Sequence, residues 1–196
     1  MTGNERLVAW RGPEPDRVDA ARVVLEADRL RARGTSCAPD YVLTYRLDTG
    51  PGWVTRELDV HVIGALGERR LALRRDDGAE WTARRWVDGR PAPVPLPALA
   101  DALDCDLGLC SLTNSMPVLR AGLLRGPKAR HQITAAWVDV PELVVHASVQ
   151  DYGPAEPTDG GGVAVAFRAD GFETTIELDA AGLVVTYPHI GRRLVG

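Results

Sequence analysis

Asp104 and Asp106 stand two residues apart around Cys105, and Thr113, Asn114, Ser115 and Arg120 follow within a short, otherwise apolar stretch. On a strand the two carboxylates share one face while the thiol takes the other, so this stretch would present an acidic side. Asn114 and Ser115 can hydrogen-bond nearby backbone, and Met116-Pro117 fixes the exit, which predicts that the chain turns there. Two chemistries suit such residues. One is recognition of a polar group by donors, acceptors and stacking rings, for which Asp104, Asp106, Thr113, Asn114, Arg120, Gln150 and Tyr152 are candidates, with Trp53 and Trp81 as platforms. The bland alternative makes the tryptophans sheet-packing residues, Asn114 a turn-former, and the aspartates partners of backbone or arginine inside the fold.

The second chemistry is nucleophilic. Cys105 or Cys110 with His131 or His146 and an acid would make a hydrolase dyad or triad. No Gly-x-Ser-x-Gly or Cys-Gly-x-Cys context surrounds these thiols, and a free cysteine in apolar sequence is usually inert core. The histidines at 61, 131, 146 and 189 have neither HxH nor HExxH spacing, so the sequence carries no metal motif. Gly160-Gly161-Gly162 lacks the Lys-Ser/Thr and the helix that a phosphate loop needs, and reads as a connector. No cofactor is implied.

The elements that must position these residues are mostly strands. Around Asp19 to Arg33 helical and alternating patterns compete; Val23-Val24 and a turn at Ala27-Asp28-Arg29 favour a hairpin whose second arm ends at Gly34. Tyr41, Leu43, Tyr45 and Leu47 alternate with Val42, Thr44 and Arg46, and a strand over 53–63 continues the pattern with Leu58, Val60 and Val62 on one face. Turns at Asp76-Asp77-Gly78-Ala79 and Asp88-Gly89 extend an antiparallel meander. Four prolines between Pro91 and Pro97 predict a connector, followed by a short helix over 96–103 with Leu99, Ala100 and Leu103 inward. Beyond Gly126-Pro127 come a hairpin about 139–142 and consecutive hairpins over 163–187. Roughly ten strands and little helix result, and a sheet of that size must curl or split to cover its apolar face.

The chain also resembles a known family. Cys105-Asp106-Leu107, then Thr113-Asn114-Ser115-Met116-Pro117 and Arg120, resemble the signature of the bacterial glycolipid-binding family once catalogued as a domain of unknown function. The likeness spans nearly the whole chain: Trp10, Tyr41 and Tyr45, Trp53 with Arg56, Asp77-Gly78 with Trp81, Trp137-Val138, Pro141, Gln150 with Tyr152, Gly182-Leu183-Val184 and Tyr187-Pro188. Leu112 stands where the family has proline, Leu119-Arg120 where it has paired arginines, and Cys110 is an added thiol. The resemblance implies a mainly β (β-rich α+β) fold, an antiparallel meander curved into a half-barrel similar to lipoprotein-localisation carriers and closed by short helices and loops. It also implies an apolar cavity for a glycolipid or related amphiphile, with a polar rim from the 104–120 motif. Burial of a chain of about sixteen carbons would supply on the order of ten kcal/mol before ordering costs.

Bulk properties set the outer limits. The 196 residues, 45% of them hydrophobic, suit one domain over 1–196, and the net charge of −4 argues against nucleic acid as a partner. Lys128 is the single lysine, a bias of coding rather than chemistry. Neither a signal peptide nor a transmembrane run is evident, which predicts a cytoplasmic protein, and three cysteines without CxxC predict reduced thiols. A third class of reading is a structural protein that pairs through sheet edges as a homodimer.

Overall fold

The fold is mostly β. In a computed structural model, which describes residues 4–125 and 129–195, the strands are β1 (Asn4–Pro13), β2 (Asp16–Leu25), β3 (Leu30–Cys37), β4 (Tyr41–Thr49), β5 (Thr55–Gly64), β6 (Gly67–Arg75), β7 (Trp81–Val87) and β8 (Arg90–Ala92). They continue as β9 (Asp104–Leu107), β10 (His131–Val138), β11 (Val145–Pro157), β12 (Val163–Ala169), β13 (Phe172–Leu178), β14 (Val184–Tyr187) and β15 (Gly191–Val195), with one helix, α1 (Ser115–Ala121). All pair into one sheet, ordered β8 down to β1, then β15 down to β9. Every pairing is antiparallel except that of β9 with β10.

That exception governs the site. Parallel neighbours cannot be joined by a tight turn and need a long crossover. Here the crossover carries the 3₁₀ turn Ser111–Asn114 and then α1, so the polar residues of the motif lie on the segment that must pack back onto the sheet. Pro117 fits because it sits in the first helical turn, where a missing N–H breaks no helical bond. Gly122 ends the helix in the left-handed region at φ 64°, its N–H donating to the Leu119 carbonyl.

The sheet curls without closing. β8 and β9 are its two edges, yet the Thr55 N–H donates to the Leu103 carbonyl and the Cys105 N–H to Thr55 Oγ1, both at 2.9 Å. The β9 edge is thus brought against the start of β5. Alternation then divides the motif: Cys105 and Leu107, with Ala136 and Val138 of β10, join the core formed by Trp10, Leu43, Leu58 and Val60. Asp104 and Asp106 face the other way, toward α1. A second core, around Tyr152, Val165, Phe167 and Ile176, is capped by Val118 of α1 and by Leu123.

The structure corrects several sequence expectations. β1 and β15, pairing with each other, were not foreseen. Gly34 does not end an arm but lies inside β3, because Tyr45 directly opposite lays its ring where a Cβ would stand, 2.3 Å away. Residues 96–103 form no helix; a single turn, with Ala102 N–H donating to the Leu99 carbonyl, buries Leu99 as expected but Ala102 in place of Ala100, which is exposed. Trp53 precedes its strand, in the 3₁₀ turn Pro51–Trp53. At 113–117 the chain enters a helix rather than simply turning out. The Gly126-Pro127 link lies outside the described residues.

Candidate functional site

The strand alternation of β9 and the period of α1 build one polar cluster. Asp104 and Asp106 share a face, and Thr113 and Arg120, seven residues apart on the turn and helix above, come back to the same side. Arg120 grips Asp104 with both Nη atoms, the Nη1–Oδ1 distance being 2.7 Å, and Asp104 is 1% exposed. This is the planar fork-to-carboxylate geometry that arginine favours. Burial still pushes the Asp104 carboxyl above its usual range, with the guanidinium opposing that rise.

Asp106 sits in a different environment. Its two oxygens accept from Thr113 Oγ1 at 2.8 Å and Gln150 Nε2 at 2.7 Å. Gln150 Oε1 in turn lies 3.0 Å from the Tyr152 hydroxyl, which is also 2.8 Å from Asn114 Oδ1, so one phenolic proton serves two acceptors. Among the described residues no cation contacts Asp106; burial prevails over the two donated bonds and raises its carboxyl to about 6. Thr113 Oγ1 also lies 3.0 Å from the Cys110 carbonyl, so its proton has a second acceptor whenever Asp106 is protonated. The cluster is thus satisfied in either ionisation state.

One side of the cluster is open. Asp106 and Asn114 border a cleft of about 250 Å³ whose other walls include Trp137, Asp139, Tyr187 and Ile190. Trp137 is placed there by the parallel register, which sets it directly beside Asp106. Its ring lies 5.4 Å from that of His146, its antiparallel neighbour. The cleft joins two carboxylates and an amide to aromatic surface, which is what recognition of a polar, partly apolar group such as a sugar ring requires.

Of the residues expected from sequence, Asp104, Asp106, Thr113, Asn114, Arg120, Gln150 and Tyr152 are brought together. Trp53 and Trp81 are not. Trp81 is a buried packing residue whose indole N–H donates to the Ala102 carbonyl at 3.0 Å, and Trp53 packs against the first core. The thiols make poor nucleophiles: burial drives Cys105 far above the ordinary range and Cys110 up to about 12, so neither is a thiolate near neutrality.

Sequence reading missed Trp137, Asp139 and Tyr187 as cleft walls, although Trp137 and Tyr187 carried part of the family likeness. It also missed Arg17. This arginine is 1% exposed, pairs with Asp19 at 3.2 Å, and donates to the carbonyls of Leu109 and Ile190. It thereby ties the loop after β9 to the loop before β15, two borders of the same cleft. An arginine on an alternating strand gives no sign in sequence that it points inward.

The family model described as "Putative glycolipid-binding" matches residues 7–193. This chain belongs to that family. A crystal structure of a DUF1089 family protein from Pseudomonas aeruginosa is 30% identical, with a TM-score of 0.69 over 94% of this chain and 95% of that one. No curated protein matches. Among the described residues no helix is long and apolar enough to cross a membrane.

Proposed function

We propose that this protein is a non-enzymatic binder of a glycolipid or related amphiphile, whose polar head occupies the cleft beside β9 and β10. The observation that carries this reading is the open side of the buried cluster: Asp106 and Asn114 border a cleft walled by Trp137 and Tyr187. In this reading Asp106, Asn114 and Asp139 contact head-group hydroxyls and Trp137 stacks on the ring. Thr113, Gln150 and Tyr152 hold Asp106 and Asn114 in place, and the Asp104–Arg120 pair fixes α1 over them. At about 250 Å³ the cleft suits a head group alone, below the roughly 300–1,000 Å³ of pockets for larger ligands. The hydrocarbon would leave along the apolar wall of Leu109, Val140 and Ile190.

Native mass spectrometry with organic extraction, on protein purified without detergent, tests this. A stoichiometric sugar-bearing amphiphile is expected in the wild type and should be lost from folded Trp137→Ala. Empty protein that also ignores a panel of glycolipids would overturn the reading.

A further inference from the structure

A wide groove lies on the opposite face of the sheet. Across β1 to β6 the ladder sets Leu7, Arg22, Arg33, Arg46, Asp59 and Ala72 side by side, each the direct partner of the next. The neighbouring row runs Ala20, Thr35, Thr44, His61, Arg70 and Trp86. Both rows line a groove of about 1,180 Å³. Its shape follows from side-chain size: alanine and threonine form a low floor, while Leu7, Trp86 and the arginine stems form the walls.

Its charge is at odds with the rest of the chain. Four arginines and two carboxylates line it, in a protein of net charge −4. Both carboxylates are engaged, Asp59 with Arg74 at 2.8 Å and Glu68 with Arg70 and His61. Arg22 pairs with Glu5 at 2.8 Å. Arg33 and Arg46, directly opposed on adjacent strands, make no hydrogen bond or ion pair among the described residues. Like charges directly opposite each other destabilise a sheet. Arg46 is partly compensated by Asp59, directly opposite on β5, and by the field of Glu57, so Arg33 is the less balanced of the two and an anion held between both forks would offset their opposition. Two adjacent guanidinium forks suit an oxyanion, phosphate above all. The floor and walls beside them are largely apolar, and Leu7 is 65% exposed.

We propose that this groove is a second ligand site, for a single-chain amphiphile with a phosphate head. The head sits between Arg33 and Arg46, and the chain lies over the Ala20–Thr35–Thr44 floor toward Trp86. The site is on the other side of the sheet from the Asp106 cleft and stands independently of the glycolipid reading.

The test is calorimetric titration with monomeric 1-oleoyl lysophosphatidate, inorganic phosphate and 1-oleoyl lysophosphatidylcholine. Saturable one-to-one binding of lysophosphatidate is expected, at least tenfold tighter than either other probe. The double variant Arg33→Gln/Arg46→Gln should weaken it tenfold or more, and Thr44→Trp, which fills the floor with both arginines intact, should do the same. Asp106→Asn should leave it within twofold. Lysophosphatidate affinity that survives both groove variants overturns the proposal. So does inorganic phosphate binding as tightly, which would mean an ion site only, or lysophosphatidylcholine binding as tightly, which would mean that the charge is not read.

Discussion

Inside the curl, Asp104, Asp106, Gln150 and Tyr152 find hydrogen-bond partners within the protein, whereas on the outer face Arg33 and Arg46 stand opposite each other with no hydrogen bond or ion pair among the described residues. The inner cluster draws its members from β9, α1 and β11, elements that meet only because the sheet curls and the crossover returns to it. The outer row needs no such assembly, since neighbouring strands in simple register suffice. Polar groups that are buried had to be satisfied for the chain to fold, and they hold the structure together. Polar groups left at the surface cost little, so their arrangement is free to serve a ligand.

This contrast is open to mutation, and the largest effect belongs to the Asp104–Arg120 pair. Arg120→Ala leaves a buried carboxylate without its cation, and a loss of about 3–5 kcal/mol is expected in urea unfolding. The Asp104→Leu/Arg120→Met double variant should recover most of that loss, because it removes both charges. Failure of the double variant to recover would mean that the pair fixes α1 through geometry that apolar side chains cannot replace.

The next effect is one of pH. The Asp106 carboxyl is raised to about 6 in the folded protein against about 3.9 in an unfolded chain. Between these values the folded state holds more protons, so stability falls as pH rises from about 4 to about 6, by on the order of 2–3 kcal/mol at most. Solvent reaching the cleft works against the full amount. Asp106→Asn removes the titrating group and should flatten that segment of the stability profile. An unchanged slope would show that the titration belongs to another raised carboxyl, Asp104, Asp19, Glu57 or Asp139.

The smallest effect is expected outside. Arg33→Gln/Arg46→Gln should change stability by no more than about 0.5 kcal/mol, or raise it slightly as the opposed charges are removed, read by the same urea titration. A loss comparable to that of Arg120→Ala would show that the outer row is structural, and would erase the distinction between the two faces.

Much of the cluster was legible in sequence because its members are dense and local. Two carboxylates at strand spacing, and a Thr-Asn pair ahead of a short apolar run, mark one acidic face and one change of direction. Gln150 and Tyr152 lie outside that stretch; their polar types and the family resemblance made them candidates, and nothing in their spacing tied them to it. For Trp53 and Trp81 the sequence left a platform and a packing role side by side, and the structure packs both against the first core, away from the Asp106 cluster, because an indole in sequence does not tell which surface it will cover. Gly34 was misread as a terminator because glycine is a turn signal except where a facing ring requires it.

What the sequence by itself determined is the local order: alternation from Tyr41 to Leu47 and from Leu58 to Val62, the hairpin turns, and the strand that puts Asp104 and Asp106 on one face. These follow from side-chain period and turn chemistry, which act over a few residues. Tertiary structure alone decided that β9 pairs parallel with β10, that the sheet brings β9 to Thr55, and that Arg17 turns inward. It also decided that Arg22, Arg33 and Arg46 stand in one row, since register between strands depends on which apolar faces are buried together and not on any segment alone.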